Sequence, residues 1–347
     1  MRIASADLQH LAEAIFAAEG VSAEHARIWA EVLVWANLRG VDSHGVLRIP
    51  RYLEQMAAGH INPRPTLRLL RAAGAIALLE ADRAPGPVAM QRAMAEAIDR
   101  ARAVHVGWCV ARDITHAGAV GHFALQAAAE GMAGLVMTAS IPLMAWPGSK
   151  GPVVSTNPIA IAMPARGRAP LVIDLATSAV ANGKVMAAKD AGTPVPLGWG
   201  LDAEGAETTD AARITTLLPL GAHKGAGLSL MIECLTSIVA MNPVIAPALR
   251  GELARGDVRM NGVAIAVDLA AFGDPAAIAA EVTEVASRIA AAPHAPGADA
   301  LTLPGERGDA VKAQRLAEGI PLPKGTWTRL AAEAEKRGVP LPATTPH

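Results

Sequence analysis

Aromatic residues are scarce in this chain, at 3% with a single tyrosine, Tyr52. A surface that stacks nucleobases is therefore not expected. Basic blocks are missing too: the net charge is −1, so no electrostatic footprint for nucleic acid exists. Only two cysteines occur, Cys109 and Cys234, each in an apolar run (GWCVA and MIECL), which reads as two buried thiols in a reducing compartment. No HExxH or cysteine cluster offers a zinc site, and the six-residue spacing of His116 and His122 is not a zinc spacing. The longest greasy stretch, Leu228 to Val239, carries Glu233 and ends before Asn242-Pro243, too short and too interrupted for a membrane span. The opening MRIASADLQHLAEAI has no apolar segment followed by a cleavage site and reads as a capped amphipathic helix, not a signal peptide. A cytoplasmic location is the expectation.

What the sequence does have is length and apolar mass. Its 347 residues, 52% hydrophobic and 18% charged, suffice for two or three domains with a sizeable core. Residues 5–59 read as helices. Ser5 or Asp7 can cap the first, whose apolar positions are Leu8, Leu11, Ile15 and Phe16. A second helix is expected from about Ala23 to Ala36. A third is expected from near Ser43 to a left-handed stop at Gly59, kinked or split at Pro50. From about residue 75 short apolar runs (AIALLEAD, VHVGWCVARD, GLVMTAS, PIAIAMP, PLVIDLA, NGVAIAVDL) alternate with alanine-rich helical segments such as Pro87 to Ala103 and Gly121 to Gly131, an α/β pattern. Residues 190–212, rich in Gly, Pro, Asp and Thr, read as a long surface excursion, and the tail after about 300 as loop and short helix.

Two clusters can carry chemistry. Asp42-Ser43-His44-Gly45 is followed by Arg48 and Arg51. On a helix starting at Ser43, His44, Arg48 and Arg51 would share one face, joining a proton carrier to a guanidinium fork for a carboxylate. The plainer reading is a cap, a locally packed histidine and solvated arginines, and the residues alone leave both open. The second cluster, His116 to His122, lies between a strand and a helix, and its glycines would let the backbone approach a ligand; taken alone, a turn with incidental histidines is the preferred reading. No GxGxxG follows a strand and GxxxxGK[ST] is absent, so neither standard phosphate loop is available. Asp174, ending the strand PLVIDLA, can accept ribose hydroxyls. Lys224 in GAHKGAGLS can meet a phosphate at a helix start, and Pro304 to Asp309 form a compact polar turn. Each has an ordinary structural explanation as well.

Taken together, RGVDSHGVLRIPRYLEQMAAGHINPRP (39–65), THAGAVG (115–121), STNPIAIAMP (155–164), IDLATSAVANGKV (173–185), GWGLDAEGAETTDA (198–211), HKGAGLSLMIE (223–233) and LPGERGD (303–309) resemble, in order, the malate/L-lactate dehydrogenase type 2 family, which includes ureidoglycolate and sulfolactate dehydrogenases and a piperideine/pyrroline-carboxylate reductase. The resemblance implies a non-Rossmann α/β fold with a large mixed sheet. It implies an N-terminal helical part (1–72) that packs with a C-terminal tail (301–347) around an α/β cofactor- and substrate-binding domain (73–300). It implies NAD or NADP, no metal, a small carboxylic-acid substrate and a homodimer. By position, Ser43, His44 and His116 are the catalytic group. Arg48, Thr156, Asn182 and Gly183 are substrate-side. Ser140, Asp174, Leu175, Ala176, Lys224, Glu306, Arg307 and Gly308 are cofactor contacts. Arg48 would clamp the carboxylate while His44 or His116 moves the proton. The implied activity is hydride transfer between nicotinamide and a 2-hydroxy/2-oxo acid. Reduction of a cyclic imino acid is the alternative within enzymes, and a non-catalytic ligand-binding protein the alternative outside them. The chain departs from the family pattern at Ser149, at Ser155 (STNP for GTNP), at Asn182 (ANGK for ARGK) and in the strand MNGVAIAV, which lacks the usual histidine and aromatics.

Overall fold

In a computed structural model the described residues are 1–253, 257–297 and 299–343, so the last four residues of the expected tail lie outside them. The chain opens with β1 (Arg2–Ile3) and three helices, α1 (Ser5–Ala18), α2 (Ala23–Leu38) and α3 (Ile49–Ala57). Seven strands then form one sheet: β2 (Arg68–Ala73), β3 (Ile76–Ala84), β4 (Val106–Ile114), β5 (Met132–Ala139), β8 (Ile159–Met163), β9 (Leu171–Leu175) and β12 (Met260–Asp268). Their order is β2-β3-β4-β12-β5-β8-β9. Only β3 and β4 run parallel; the other neighbours are antiparallel. The fold is therefore mixed α/β, unlike the all-parallel sheet of a doubly wound dinucleotide fold. Each apolar run singled out in the sequence lies in one of these strands. MNGVAIAV sits at the sheet centre, flanked by β4 and β5.

Helices α4 (Gly86–Val104) and α5 (Gly121–Ala129) cover one face of the sheet through a core dominated by alanine. The opposite face packs on α7 (His223–Glu233) and the π-helical turn Cys234–Ile238, with Ile232 and Ala240 meeting Val110, Met137, Val263 and Ile265. A smaller sheet joins β6 (Met144–Ala145), β7 (Pro152–Val154), β10 (Gly200–Leu201) and β11 (Thr216–Leu217). Beside it lie α6 (Asn182–Ala191) and α8 (Ile245–Leu249), with α9 (Pro275–Ala290) further along the chain. The end of the chain forms α10 (Glu306–Glu318), β13 (Ile320–Pro321) and α11 (Lys324–Glu335), two helices longer than the sequence suggested. Strand β13 pairs with β1, and Ile320, Leu322, Leu330 and Ala334 join Leu8, Phe16, Trp29 and Tyr52 in one hydrophobic cluster.

Several local expectations are corrected. Ala4 occupies the cap position of α1 without a side-chain hydrogen bond, leaving Ser5 as the first helical residue and Asp7 in the first turn. No continuous helix runs from Ser43. Residues Asp42–His44 and Val46–Arg48 form two short 3-10 turns separated by extended Gly45, and α3 begins at Ile49. Pro50, which has no N–H to give, stands in the first turn of α3, where none is needed. Gly59 does stop the segment, with φ of +73°. His44, Arg48 and Arg51 consequently share no helical face, and exposed Arg51 pairs with Glu54. Cys109 is buried as expected, while Cys234 is only partly so.

Candidate active site

The turn Asp42–Arg48 crosses the C-terminal end of α2 because Gly45 lets it do so: a Cβ there would overlap the Asn37 side chain. Asn37 Oδ1 accepts the Val46 N–H at 2.9 Å, and its amide donates to Asp42 Oδ1 at 2.6 Å. Within the turn Ser43 Oγ and His44 Nδ1 are 2.9 Å apart, and Arg48 Nε donates to the Ser43 carbonyl at 2.7 Å. Two of the three catalytic candidates, Ser43 and His44, and the expected clamp are thus fastened to one short piece of backbone. Among the described residues Arg48 pairs with no carboxylate, which leaves its guanidinium available for an anion.

The loop after β4 brings His116 onto this turn. Gly86 makes room for it, since a Cβ there would overlap the backbone of Thr115 and His116. The imidazoles of His44 and His116 stack with centroids 5.4 Å apart. His116 Nδ1 lies 2.7 Å from the hydroxyl of Tyr52 and receives the Gly118 N–H at 3.3 Å. An amide N–H can only donate, so Nδ1 is the acceptor and the neutral ring carries its proton on Nε2. Burial pushes the Tyr52 phenol up to about 12, so it stays protonated and is the second donor.

Both histidines are held neutral. Burial lowers His44 to about 4, helped by the nearby Arg48 charge. Burial, Arg48 and His44 all lower His116 well below the usual imidazole range. A lone guanidinium beside two neutral imidazoles can hold an anion, donate a hydrogen bond and move one proton.

The other expected residues arrive in two groups. Gly183, in the first turn of α6, approaches Ser43 so closely that a Cβ would overlap the Ser43 side chain, which brings exposed Asn182 and Gly183 to the same turn. Asp174, at the end of β9, keeps an open carboxyl while Oδ2 accepts the Gly121 N–H at 2.8 Å. Surrounding protein atoms push this carboxyl up to about 6, opposed by the Gly121 hydrogen bond and the Arg39 charge. Arg39 also binds Asp309 and the Gly305 carbonyl, so the guanidinium whose charge acts on Asp174 is tied to the start of α10. Glu306 itself is engaged, with Arg168 at 2.9 Å and the Leu303 N–H at 2.8 Å, while Arg307 is exposed.

The other group gathers at α7. Ser140 donates its N–H to Asn157 Oδ1 at 3.1 Å, and its hydroxyl lies 2.6 Å from that of buried Ser155. The departure from glycine at Ser155 thus captures an expected cofactor contact. Asn157 and Ser155 are tied in turn to Ser229 of α7. Exposed Lys224 enters α7 after Gly221 and Ala222, both at positive φ. A non-glycine residue there is uncommon and marks a backbone held for a purpose. Leu175 and Ala176 link this group to Asp174, and Thr156 receives the Thr177 N–H on its carbonyl at 3.3 Å.

These groups fit a dinucleotide: a carboxyl for ribose hydroxyls, and a lysine at a helix N-terminus for phosphate. No three of His, Cys, Asp and Glu converge as a metal site among the described residues. No helix among them is long and apolar enough to cross a membrane.

Comparison with known proteins settles the kind of molecule. The family model described as malate/L-lactate dehydrogenase matches residues 3–331. The chain belongs to the malate/L-lactate dehydrogenase family. It is 34% identical to a malate dehydrogenase of Pyrococcus horikoshii over 92% of this chain and 91% of that protein. It is 31% identical to an NAD(+) ureidoglycolate dehydrogenase of Escherichia coli over 96% of each. Among solved structures it resembles a δ1-piperideine-2-carboxylate reductase of Pseudomonas syringae, with a TM-score of 0.84, 29% identity and coverage of 96% and 100%. As a member of this dehydrogenase family the chain is an oxidoreductase, which removes the non-catalytic reading.

Sequence reasoning missed Tyr52 and Asn37. Tyr52 was visible only as the lone tyrosine, and no local pattern announces a partner 64 positions away.

Proposed function

We propose that this oxidoreductase transfers a hydride between NAD or NADP and a small 2-hydroxy/2-oxo carboxylic acid of the malate, lactate or ureidoglycolate type. The observation that carries the reading is Arg48, unpaired by any carboxylate among the described residues and fastened beside the stacked His44–His116 pair. In the oxidative direction the terminal nitrogens of Arg48 take the carboxylate and His44 takes the hydroxyl proton. Its Nδ1 partner is a serine hydroxyl, which can donate or accept, so this ring can carry either charge state. His116, with its proton on Nε2, donates a hydrogen bond to the reacting oxygen and orients it. The nicotinamide, when bound, supplies the hydride acceptor. Asp174, Leu175, Ala176, Ser140, Lys224 and Glu306–Gly308 hold the dinucleotide, and Thr156, Asn182 and Gly183 close the substrate end.

In this reading residues 73–300, which carry the sheet except for most of β2, supply most of the cofactor contacts. Residues 1–72 supply the proton-transfer turn, and residues 301–347 brace it. A homodimer is part of the proposal. It would cover exposed apolar residues of α7 and the segment after it: Met231, Ile238, Val239 and Met241, the last 83% exposed. A cytoplasmic setting fits the two free thiols. Reduction of a cyclic imino acid, supported by the likeness to the Pseudomonas reductase, needs the same clamp and the same proton source.

A screen of 2-oxo acids and cyclic imino acids with NADH and NADPH, followed at the nicotinamide absorbance, tests the reading. Turnover of a 2-oxo acid is expected. Arg48→Lys should lower kcat/KM about a hundredfold, because lysine keeps the charge but loses the fork, while dinucleotide affinity holds. Lys224→Ala should do the reverse, weakening the dinucleotide most at low salt. Turnover of no acid or imine, or an unchanged kcat/KM in Arg48→Lys, overturns it.

A further inference from the structure

The proton-transfer turn is gripped by a residue of the C-terminal part to which the proposed function gives no role. Arg315, on the third turn of α10, reaches Asp42 with both terminal nitrogens, at 2.7 Å to Oδ1 and 3.0 Å to Oδ2. One of those nitrogens also donates to the Asn37 carbonyl. Asp42 Oδ1 is shared with the Asn37 amide, whose oxygen holds Val46 on the other side of Ser43 and His44. Asp42 and Val46 are therefore pinned at the two ends of the segment that carries Ser43 and His44. Among the described residues no other ion pair reaches Asp42.

A bidentate pair of this kind differs from an ordinary surface ion pair. The Arg315 side chain is only 14% exposed, and all its recorded partners belong to the α2 end and the turn. The pairing is reciprocal: Arg39 beyond α2 holds Asp309 of α10, and Arg315 of α10 holds Asp42 beyond α2. Arg315 lies nine positions after Glu306, roughly 14 Å along a helix. One rigid helix thus spans from the expected cofactor turn to the proton-transfer turn.

We infer that Arg315 is a positioning residue for proton transfer: by gripping Asp42 it fixes the turn that sets Ser43 and His44 against His116. The inference rests on the proposed role of His44. Arg39, Asp309 and the Ile320–Leu330 packing still dock α10 when Arg315 is cut, so the effect is confined to the turn.

The test is Arg315→Ala in the full chain, with Arg315→Lys and Arg315→Gln beside it. Arg315→Ala is expected to lower kcat tenfold or more while the dinucleotide dissociation constant stays within about twofold. Guanidinium at tens of millimolar should restore part of the lost rate. A second readout needs no turnover: titration of the His44 imidazole by NMR. The charged and titratable groups around His44 are Arg48 and Asp42 on its own turn, His116 after β4, Arg315 on Asp42, and Lys184 of α6, whose Gly183 packs on Ser43. As water reaches a loosened turn, the His44 ionisation should move up by roughly half a pH unit or more. A folded Arg315→Ala with wild-type kcat and an unmoved His44 titration overturns the inference. Should the alanine variant not fold, the lysine and glutamine variants are read by the same criteria. A wild-type protein that turns over no acid or imine counts against the proposed function, while the His44 titration still decides the role of Arg315.

Discussion

The two hydrophobic cores that meet at the site use opposite materials. Between the sheet and α4 and α5, alanine does most of the filling: Ala77, Ala93, Ala97, Ala111, Ala124 and Ala264 are all fully buried. The layers approach so closely that a Cβ at Gly107 would overlap the Ala97 carbonyl, and one at Gly134 the Ala124 carbonyl. The helical core is instead an aromatic column. Phe16 stacks on Trp29 at 4.0 Å, Trp29 meets Tyr52 at 5.1 Å, and Tyr52 ends on His116. A chain with few aromatics has spent three of them beneath one imidazole. On the sheet side, backbone contact sets the distances of the frame that carries His116 and Asp174. On the helical side large side chains set them, and the position of the Tyr52 hydroxyl depends on a filled volume.

The largest expected effect is therefore a deletion in the aromatic column. Trp29→Ala should destabilise the protein by about 3–5 kcal/mol, the range for emptying a buried large aromatic site. Among the described residues its indole N–H has no hydrogen-bond partner, so the loss is chiefly packing. Equilibrium denaturation measures it, and a loss under about 1 kcal/mol would show that the column carries no load.

On the sheet side the sensitive change is an addition. Gly107→Ala should cost about 3 kcal/mol, the upper end for overpacking, because backbone rather than a movable side chain stands in the way. Gly59→Ala is the control: φ is +73° there, but nothing lies within 4 Å of the added atom. If the two variants denature alike, close packing is not what distinguishes the sheet core.

This contrast also explains what could be read from the sequence. Runs such as VHVGWCVARD and NGVAIAVDL announce buried strands by composition, and the alanine-rich helices between them follow from length and periodicity. The Asp42–Arg48 turn could not be read that way. Pro50 allowed either a kink or a split, and the choice falls to Gly45 and Asn37, whose contact is not a periodic pattern. Ser43, His44, Arg48 and His116 were recognised from motif order, and the structure brings all four together. Tyr52 and Arg315 act through partners 64 and 273 positions away, beyond the reach of any local signal.

A subtler variant separates the column's packing from its chemistry. Tyr52→Phe keeps the ring against Trp29 and removes only the hydroxyl on His116 Nδ1. Stability should change by about 1 kcal/mol, one hydrogen bond. kcat should fall about tenfold, equivalent to ~1.4 kcal/mol, because Gly118 alone then fixes the His116 ring. A fall in stability without a fall in kcat would return Tyr52 to the core and remove it from the site.

The smallest expected effect concerns how the clamp and the proton carrier speak to each other. Burial is the main reason His44 lies near 4, and the Arg48 charge is the second. A bound carboxylate cancels much of that charge, so His44 should ionise at a higher pH in the substrate complex than in the free protein. Because burial persists, the rise should stay below about one pH unit. Oxidation of a hydroxy acid needs neutral His44, so its rate should fall as pH drops through this ionisation, and reduction should show the opposite slope. The profile of kcat/KM reports the free protein and that of kcat the complex. The sign of stability matters for the measurement. His44 and His122, both lowered to about 4 in the fold, bind protons more readily once unfolded, so stability drains away between pH 6.5 and about 4. Rates in that window are best taken by brief pH jumps. His44→Asn should abolish the ionisation, and His116→Asn should leave it while raising KM. If His116→Asn is the variant that abolishes it, the proton moves through the imidazole on the rigid frame, and the roles of the two histidines are exchanged.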